Sequence, residues 1–196
     1  MKQIEITVRL KNSMQDAIEI LEKQGYKKIR ESDIYDIYMT QSKDKLNKEN
    51  IEKILSTCVL LRNIKTEGKE IRKITYKDKE YDNGQVISEQ KVNLDCNSLE
   101  DAKKLFEYLK FEKLIEVKDH ILVMEKDGME LAFQDVENLG LLIEYENDKD
   151  FTNKSIEEIK EEKKKMYKEI EKLGINITEE YDVKKAWELI IKKYFW

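Results

Sequence analysis

Residues 3–10, QIEITVRL, alternate polar and apolar side chains without a break, and this period of two is the strongest constraint in the chain. It predicts a strand with Ile4, Ile6, Val8 and Leu10 on one face and Glu5, Thr7 and Arg9 on the other. Ionisable residues also share strand faces further on: Lys73 with Lys77, Lys118 with His120, and Glu144 with Glu146. Such faces suit an antiparallel sheet that is solvated on one side. They also suit a sheet closed into a barrel, where carboxylates from one wall and cations from the other converge on a bound polyanion. Spacing alone does not choose between the two.

Caps and turns divide the rest of the chain. Asn12 and Ser13 can cap a helix carrying Met14, Ala17, Ile18 and Leu21, which Gly25 ends, and a strand from Ile34 to Met39 follows. A short helix over 50–55 precedes a strand at Cys58–Ile64. Strands at Ile71–Lys77 and Val86–Leu94 flank a turn from Lys79 whose Asn83-Gly84 step signals a hairpin. Ser98 with Asp101 opens a helix running to about Lys110. Three more strands are predicted at Ile115–Glu125, Glu130–Val136 and Leu141–Glu146. Beyond Asp150 the pattern turns helical: Ser155 and Glu158 form a capping box for a charged helix over 156–173, and a last helix is expected at Val183–Tyr194. The fold class is therefore α+β, with a strand-rich unit over 1–150 and a C-terminal helical cap over 151–196 packed on the same domain.

The 37 basic and 42 acidic residues are closely interspersed, so there is no broad basic field for nonspecific nucleic-acid binding. Cys58 and Cys96 stand apart, and no apolar stretch approaches a signal peptide or a membrane span. The expectation is a cytoplasmic protein with neither nucleic acid nor membrane as partner.

The order of short motifs resembles the CYTH family of triphosphate-tunnel proteins, which includes class IV adenylyl cyclases, thiamine triphosphatases and inorganic triphosphatases. Glu5-Ile6-Thr7-Val8-Arg9 stands where the family has ExExK, with Thr for the second Glu and Arg for the Lys. Asp36-Ile37-Tyr38 resembles the DxY strand, and Ile74-Thr75-Tyr76-Lys77 resembles the LTxK strand. Arg62 is the survivor of the two arginines of LRIR, Glu89 falls at the last acid of RxExE, and Lys118-Asp119-His120 resembles KxR. Residues 134–146, QDVENLGLLIEYE, are similar to DxVxxLGxFxExE, with Gln134 in place of a metal-binding Asp.

The resemblance spans roughly residues 3–146 and implies a closed antiparallel β-barrel, the triphosphate tunnel, with flanking helices. It implies that Glu5, Glu144 and Glu146 hold Mg²⁺ or Mn²⁺. Arg9, Arg62, Lys77, Lys118 and His120 would hold phosphate oxygens, and Glu89 would stand on the lumen wall. The implied activity is metal-dependent phosphoryl transfer on a nucleoside or other organic triphosphate, with Glu5, Arg9, Lys77 and Lys118 carrying the chemistry. The attacking group would be water in a triphosphatase or a ribose 3′-hydroxyl in an adenylyl cyclase. Thr7 and Gln134 remove two anionic donors from that scheme, so a domain that binds a nucleotide or polyphosphate without turnover stands beside the enzyme. The family also implies a homodimer, for which the apolar C-terminus offers a surface.

Overall fold

In a computed structural model, which describes residues 2–82, 85–147 and 149–196, eight strands follow the predicted order. They are β1 (Ile4–Arg9), β2 (Lys27–Thr40), β3 (Val59–Thr66), β4 (Lys69–Asp82), β5 (Gln85–Asp95), β6 (Glu112–Lys126), β7 (Met129–Val136) and β8 (Gly140–Asn147). Five α-helices accompany them: α1 (Met14–Lys23), α2 (Ile51–Leu55), α3 (Leu99–Tyr108), α4 (Ile156–Lys172) and α5 (Lys185–Tyr194). Ser13 and Ser98 cap α1 and α3 through their hydroxyls, and the Ser155–Glu158 capping box opens α4. Among the described residues no helix is long and apolar enough to cross a membrane.

Three elements differ from expectation. β2 begins at Lys27 rather than Ile34, because its charged, exposed first residues are held by pairing with β6 and leave no apolar alternation to read. β4 runs on to Asp82 through the stretch expected to turn, so Lys79 lies in a strand opposite Glu89; the Asn83-Gly84 step itself lies outside the described residues. α5 starts at Lys185 rather than Val183 because the chain before it is extended along β1.

All strand pairs are antiparallel, in the order β1-β8-β7-β6-β2-β3-β4-β5. The sheet curls until its two edge strands nearly meet, giving a near-closed antiparallel barrel. The apolar face of β1 points outward: Ile4, Ile6 and Val8 pack with Phe133 and Ile143 under Ala17 and Leu21 of α1 and Ile159, Met166 and Ile170 of α4. A second cluster joins Ile51 and Ile54 of α2 to Leu189 and Ile190 of α5. A third seats Ala102 of α3 on Ile37, Met39 and Leu61. Helices thus cover the apolar outer face, and the polar residues turn inward.

Among the described residues the two edges are bridged where Gln3, just before β1, and Glu89 of β5 exchange backbone hydrogen bonds of 3.0 Å in both directions. Away from that point residues 176–183 fill the wedge. Thr7 N–H donates to Tyr181 O at 3.2 Å, Val183 N–H donates to Thr7 O at 3.1 Å, and Thr178 N–H donates to Arg9 O at 2.9 Å. On the far side, Val86 N–H donates to the Asp182 carboxylate at 3.2 Å, and the buried Lys163 ammonium of α4 donates to Val86 O. Lys163 lies 3.8 Å from Asp182; burial pulls its pKa down, and the carboxylate opposes that.

Removing one member of a buried ion pair strands the other. Asp182→Ala is expected to cost about 3 kcal/mol in urea denaturation, and adding Lys163→Met is expected to recover most of that. An equal loss in the single and double variants would show that the ion pair does not hold the wedge.

Candidate ligand-binding tunnel

The inward faces enclose a cavity of about 240 Å³. Lumen residues come from alternate positions of each strand, and a bulge keeps this so on β5. Ile87 is the extra residue between the Glu80–Ser88 and Tyr81–Val86 pairs, so it turns into the outer core while Val86, Glu89 and Lys91 keep the inner side. The lumen is two-sided. Glu5, Lys77, Lys79, Lys91, Glu144 and Glu146 form a charged wall from β1, β4, β5 and β8, whereas β2, β3 and β6 set Ile34, Leu60, Val117 and Ile121 beside Asp36, Arg62 and Asp119.

The charged wall is organised around Glu89, whose side chain is 2% exposed. Lys77 Nζ lies 3.3 Å from it, Lys79 Nζ 3.7 Å and Lys91 Nζ 2.8 Å. Burial and the neighbouring Glu5 oppose ionisation of Glu89, but the three lysines outweigh them and its pKa falls below the ordinary carboxylate range. Burial also works against Glu5, and Lys77, Lys91 and Lys79 overcome it, leaving that carboxyl far below its usual pKa. Reciprocally, Glu5 and Glu89 hold Lys77 charged against the burial that would deprotonate it. On the next wall Arg62 meets Asp36 in a two-pronged pair, Nε to Oδ1 and Nη2 to Oδ2 both at 2.7 Å, across the β2–β3 register.

Glu5, Arg62, Lys77, Glu144 and Glu146 are brought together in the lumen, as expected for inward positions. Glu89 stands one layer deeper, behind the lysines that line the cavity. Arg9 shares the inward face of β1 but does not reach the cavity. Its guanidinium donates twice to Glu188 of α5 at 2.8 Å and once to Leu139 O at 3.3 Å, so the C-terminal helix already neutralises it.

Lys118 and His120 depart from the expected placement, because Val117, Asp119 and Ile121 are the residues of β6 that face the lumen. Lys118 is 58% exposed and pairs with Glu137 at 3.0 Å. His120 lies against Glu31 and Asp33 at 3.0 and 2.8 Å. Both are on the outer face. Lys118 and His120 are solvated there, so the charged half of the β6 alternation is the outer half.

The lumen also contains cations and acids that the motifs did not assign. Lys79 sits in a stretch expected to turn. Lys91 was readable, since it shares the strand parity of Glu89. Asp119 hid between two exposed basic residues. Lys185, from the first turn of α5, carries no strand period at all; it reaches in to donate to Asp119 at 3.1 Å and to Gln134 at 2.9 Å.

The expected Mg²⁺ or Mn²⁺ would need oxygen donors converging on one point. Glu5 lies opposite Glu146 in the β1–β8 register and Thr7 opposite Glu144, so three carboxylates share one patch of wall. Their oxygens are nevertheless engaged by ammonium groups: Lys91 stands 3.0 Å from Glu146 and 3.9 Å from Glu5, and Lys185 stands 3.8 Å from Glu144. Among the described residues no three His, Cys, Asp or Glu side chains converge closely enough to hold a metal ion. The described residues on their own therefore offer no preformed cage for a divalent cation.

No family model and no curated protein matches the sequence. Solved structures do match the fold. The PH1819 protein of Pyrococcus horikoshii superposes with a TM-score of 0.73 at 19% identity, over 97% of this chain and 99% of that one. A Vibrio parahaemolyticus protein provisionally assigned as an adenylate cyclase gives 0.69 at 11% identity, over 98% of each chain. HpAC1 from Hippeastrum, described with a dominant triphosphatase activity, gives 0.59 at 14% identity, over 98% of this chain and 96% of that one. The chain therefore has the CYTH-type tunnel fold.

His120 is the sole histidine, so its titration reports one environment. Its hydrogen bond to Asp33, aided by Glu31, lifts its pKa above 6.5, and any stabilisation it gives is complete below that value and fades as pH rises through the raised pKa. NMR titration is expected to place its midpoint above 6.5 and to leave it unmoved when tripolyphosphate is added. A ligand-induced shift would put the ring in the lumen.

Proposed function

We propose that the lumen binds a nucleoside or other organic triphosphate without turning it over. The observation that supports this most is the convergence of Lys77, Lys79 and Lys91 with Arg62 around one cavity, at the cost of withdrawing most of each side chain from bulk water. A domain selected for stability alone would fill a barrel of this size with aliphatic side chains. Ammonium and guanidinium groups are the ordinary donors to phosphate oxygens. The apolar side chains of Ile34, Leu60, Val117 and Ile121 among the lining residues favour an organic substituent on the phosphate chain over an inorganic polyphosphate.

The chemistry of the site supports binding without turnover. Phosphoryl transfer depends on neutralising the charge on the transferring and leaving oxygens and on an activated nucleophile, for which metal ions are the usual device. Thr7 and Gln134 provide no anionic donor, and lysines engage the carboxylates that remain. A second reading, hydrolysis of the bound triphosphate, is favoured by the fold shared with HpAC1.

Calorimetry with ATP, thiamine triphosphate and tripolyphosphate in Mg²⁺ tests binding, and phosphate release under Mg²⁺ and Mn²⁺ tests turnover. Saturable binding is expected, with Lys77→Ala weakening it at least about tenfold, or about 1.4 kcal/mol. Phosphate release should not rise above a Glu144→Ala control; release well above that control establishes hydrolysis instead. No affinity for any of these ligands would remove the proposal.

A further inference from the structure

Lys91 and Lys185 each occupy a setting that resembles a cation site. Lys91 Nζ has three carboxylates around it, from Glu89 at 2.8 Å, Glu146 at 3.0 Å and Glu5 at 3.9 Å, contributed by β5, β8 and β1. Lys185 Nζ has three oxygens around it, from Gln134 at 2.9 Å, Asp119 at 3.1 Å and Glu144 at 3.8 Å, contributed by β7, β6 and β8. The two clusters meet on β8, where Glu144 and Glu146 face the lumen together.

Gln134 shows why the second cluster suits an ammonium. Its amide nitrogen donates to Glu144 at 3.1 Å while its carbonyl oxygen accepts from Lys185. A carboxylate in the same place could accept but not donate, and would face Glu144 with like charge. The neutral amide therefore ties an acid and an ammonium together where a divalent cation would be better served by a second acid. An ammonium carries three N–H donors. The contacts at 3.8 and 3.9 Å are too long for hydrogen bonds, so each lysine keeps donor capacity for a ligand oxygen.

From this geometry we infer that Lys91 and Lys185 serve as tethered counter-cations for the phosphate chain, and that the tunnel binds triphosphate without any divalent metal. The inference rests on the triphosphate reading and adds the cation requirement to it. An ammonium on the chain brings one charge where a hydrated Mg²⁺ brings two, but it is already in position and costs no separate association. The charged wall then acts as a binding device, and the carboxylates serve to aim the lysines.

The test is calorimetry of the full chain with tripolyphosphate and with ATP, once in excess EDTA and once in excess Mg²⁺. Affinity in EDTA is expected to match that in Mg²⁺ within about threefold or to exceed it, because Mg²⁺ competes for the free ligand. Lys91→Met and Lys185→Gln should each weaken binding in EDTA at least about tenfold. The second substitution lies on α5, outside the barrel wall, and keeps the test open if the first does not fold. Mn²⁺ titrated alone should give no saturable site. Binding that appears only with Mg²⁺, or a saturable Mn²⁺ site, overturns this inference and leaves the triphosphate reading standing. No binding in either buffer overturns both.

Discussion

Glu89 ties the shape of the barrel to its chemistry. Its backbone bridges β5 to Gln3, just before β1, and its carboxylate is the acid around which Lys77, Lys79 and Lys91 gather. Without the side chain three ammonium groups would share a low-dielectric space with Glu5 as their main compensation, and repulsion would push β4 and β5 apart. Without the backbone bridge the lysines would face solvent. The ordering of the charges and the closing of the sheet are therefore one event.

The barrel inverts the usual division of polar and apolar residues. A small closed sheet ordinarily fills its interior with aliphatic side chains and leaves its outside to water. Here Ile4, Ile6 and Val8 face outward under two helices, and charged residues face inward. Each inward charge is offset by a neighbour of opposite sign, so the lumen is costly but not unpaired. Asp119 is satisfied on one side only: Oδ2 accepts from Lys185, whereas Oδ1 is buried without a partner, and burial keeps its pKa above the ordinary value despite Lys185.

The fold was largely legible in the chain because it depends on local signals. QIEITVRL, the serine caps and the turn glycines each acted within a few residues, and the elements came out in the predicted order. The site was harder to read because it depends on which side of each strand faces in. Glu5, Glu144 and Glu146 were readable once the strands were known. Lys118 and His120 were misplaced because polarity alone marks a solvated outer face as readily as a tunnel wall. Lys185 left no trace, since a helix residue enters a barrel only through a path that the sequence does not display.

The wedge of residues 176–183 also bears on how the protein is made. β1 is synthesised before the segments that pair with it, since its partners are β8 and a segment that follows α4. Until they arrive β1 has one apolar face and two open backbone edges, which is the condition in which nascent chains aggregate or recruit chaperones. α1, which comes directly after β1 and packs on the same apolar residues, can shelter it in the interval. Closure of the half-barrel is therefore expected to wait until residues 176–183 have been synthesised and released from the ribosome.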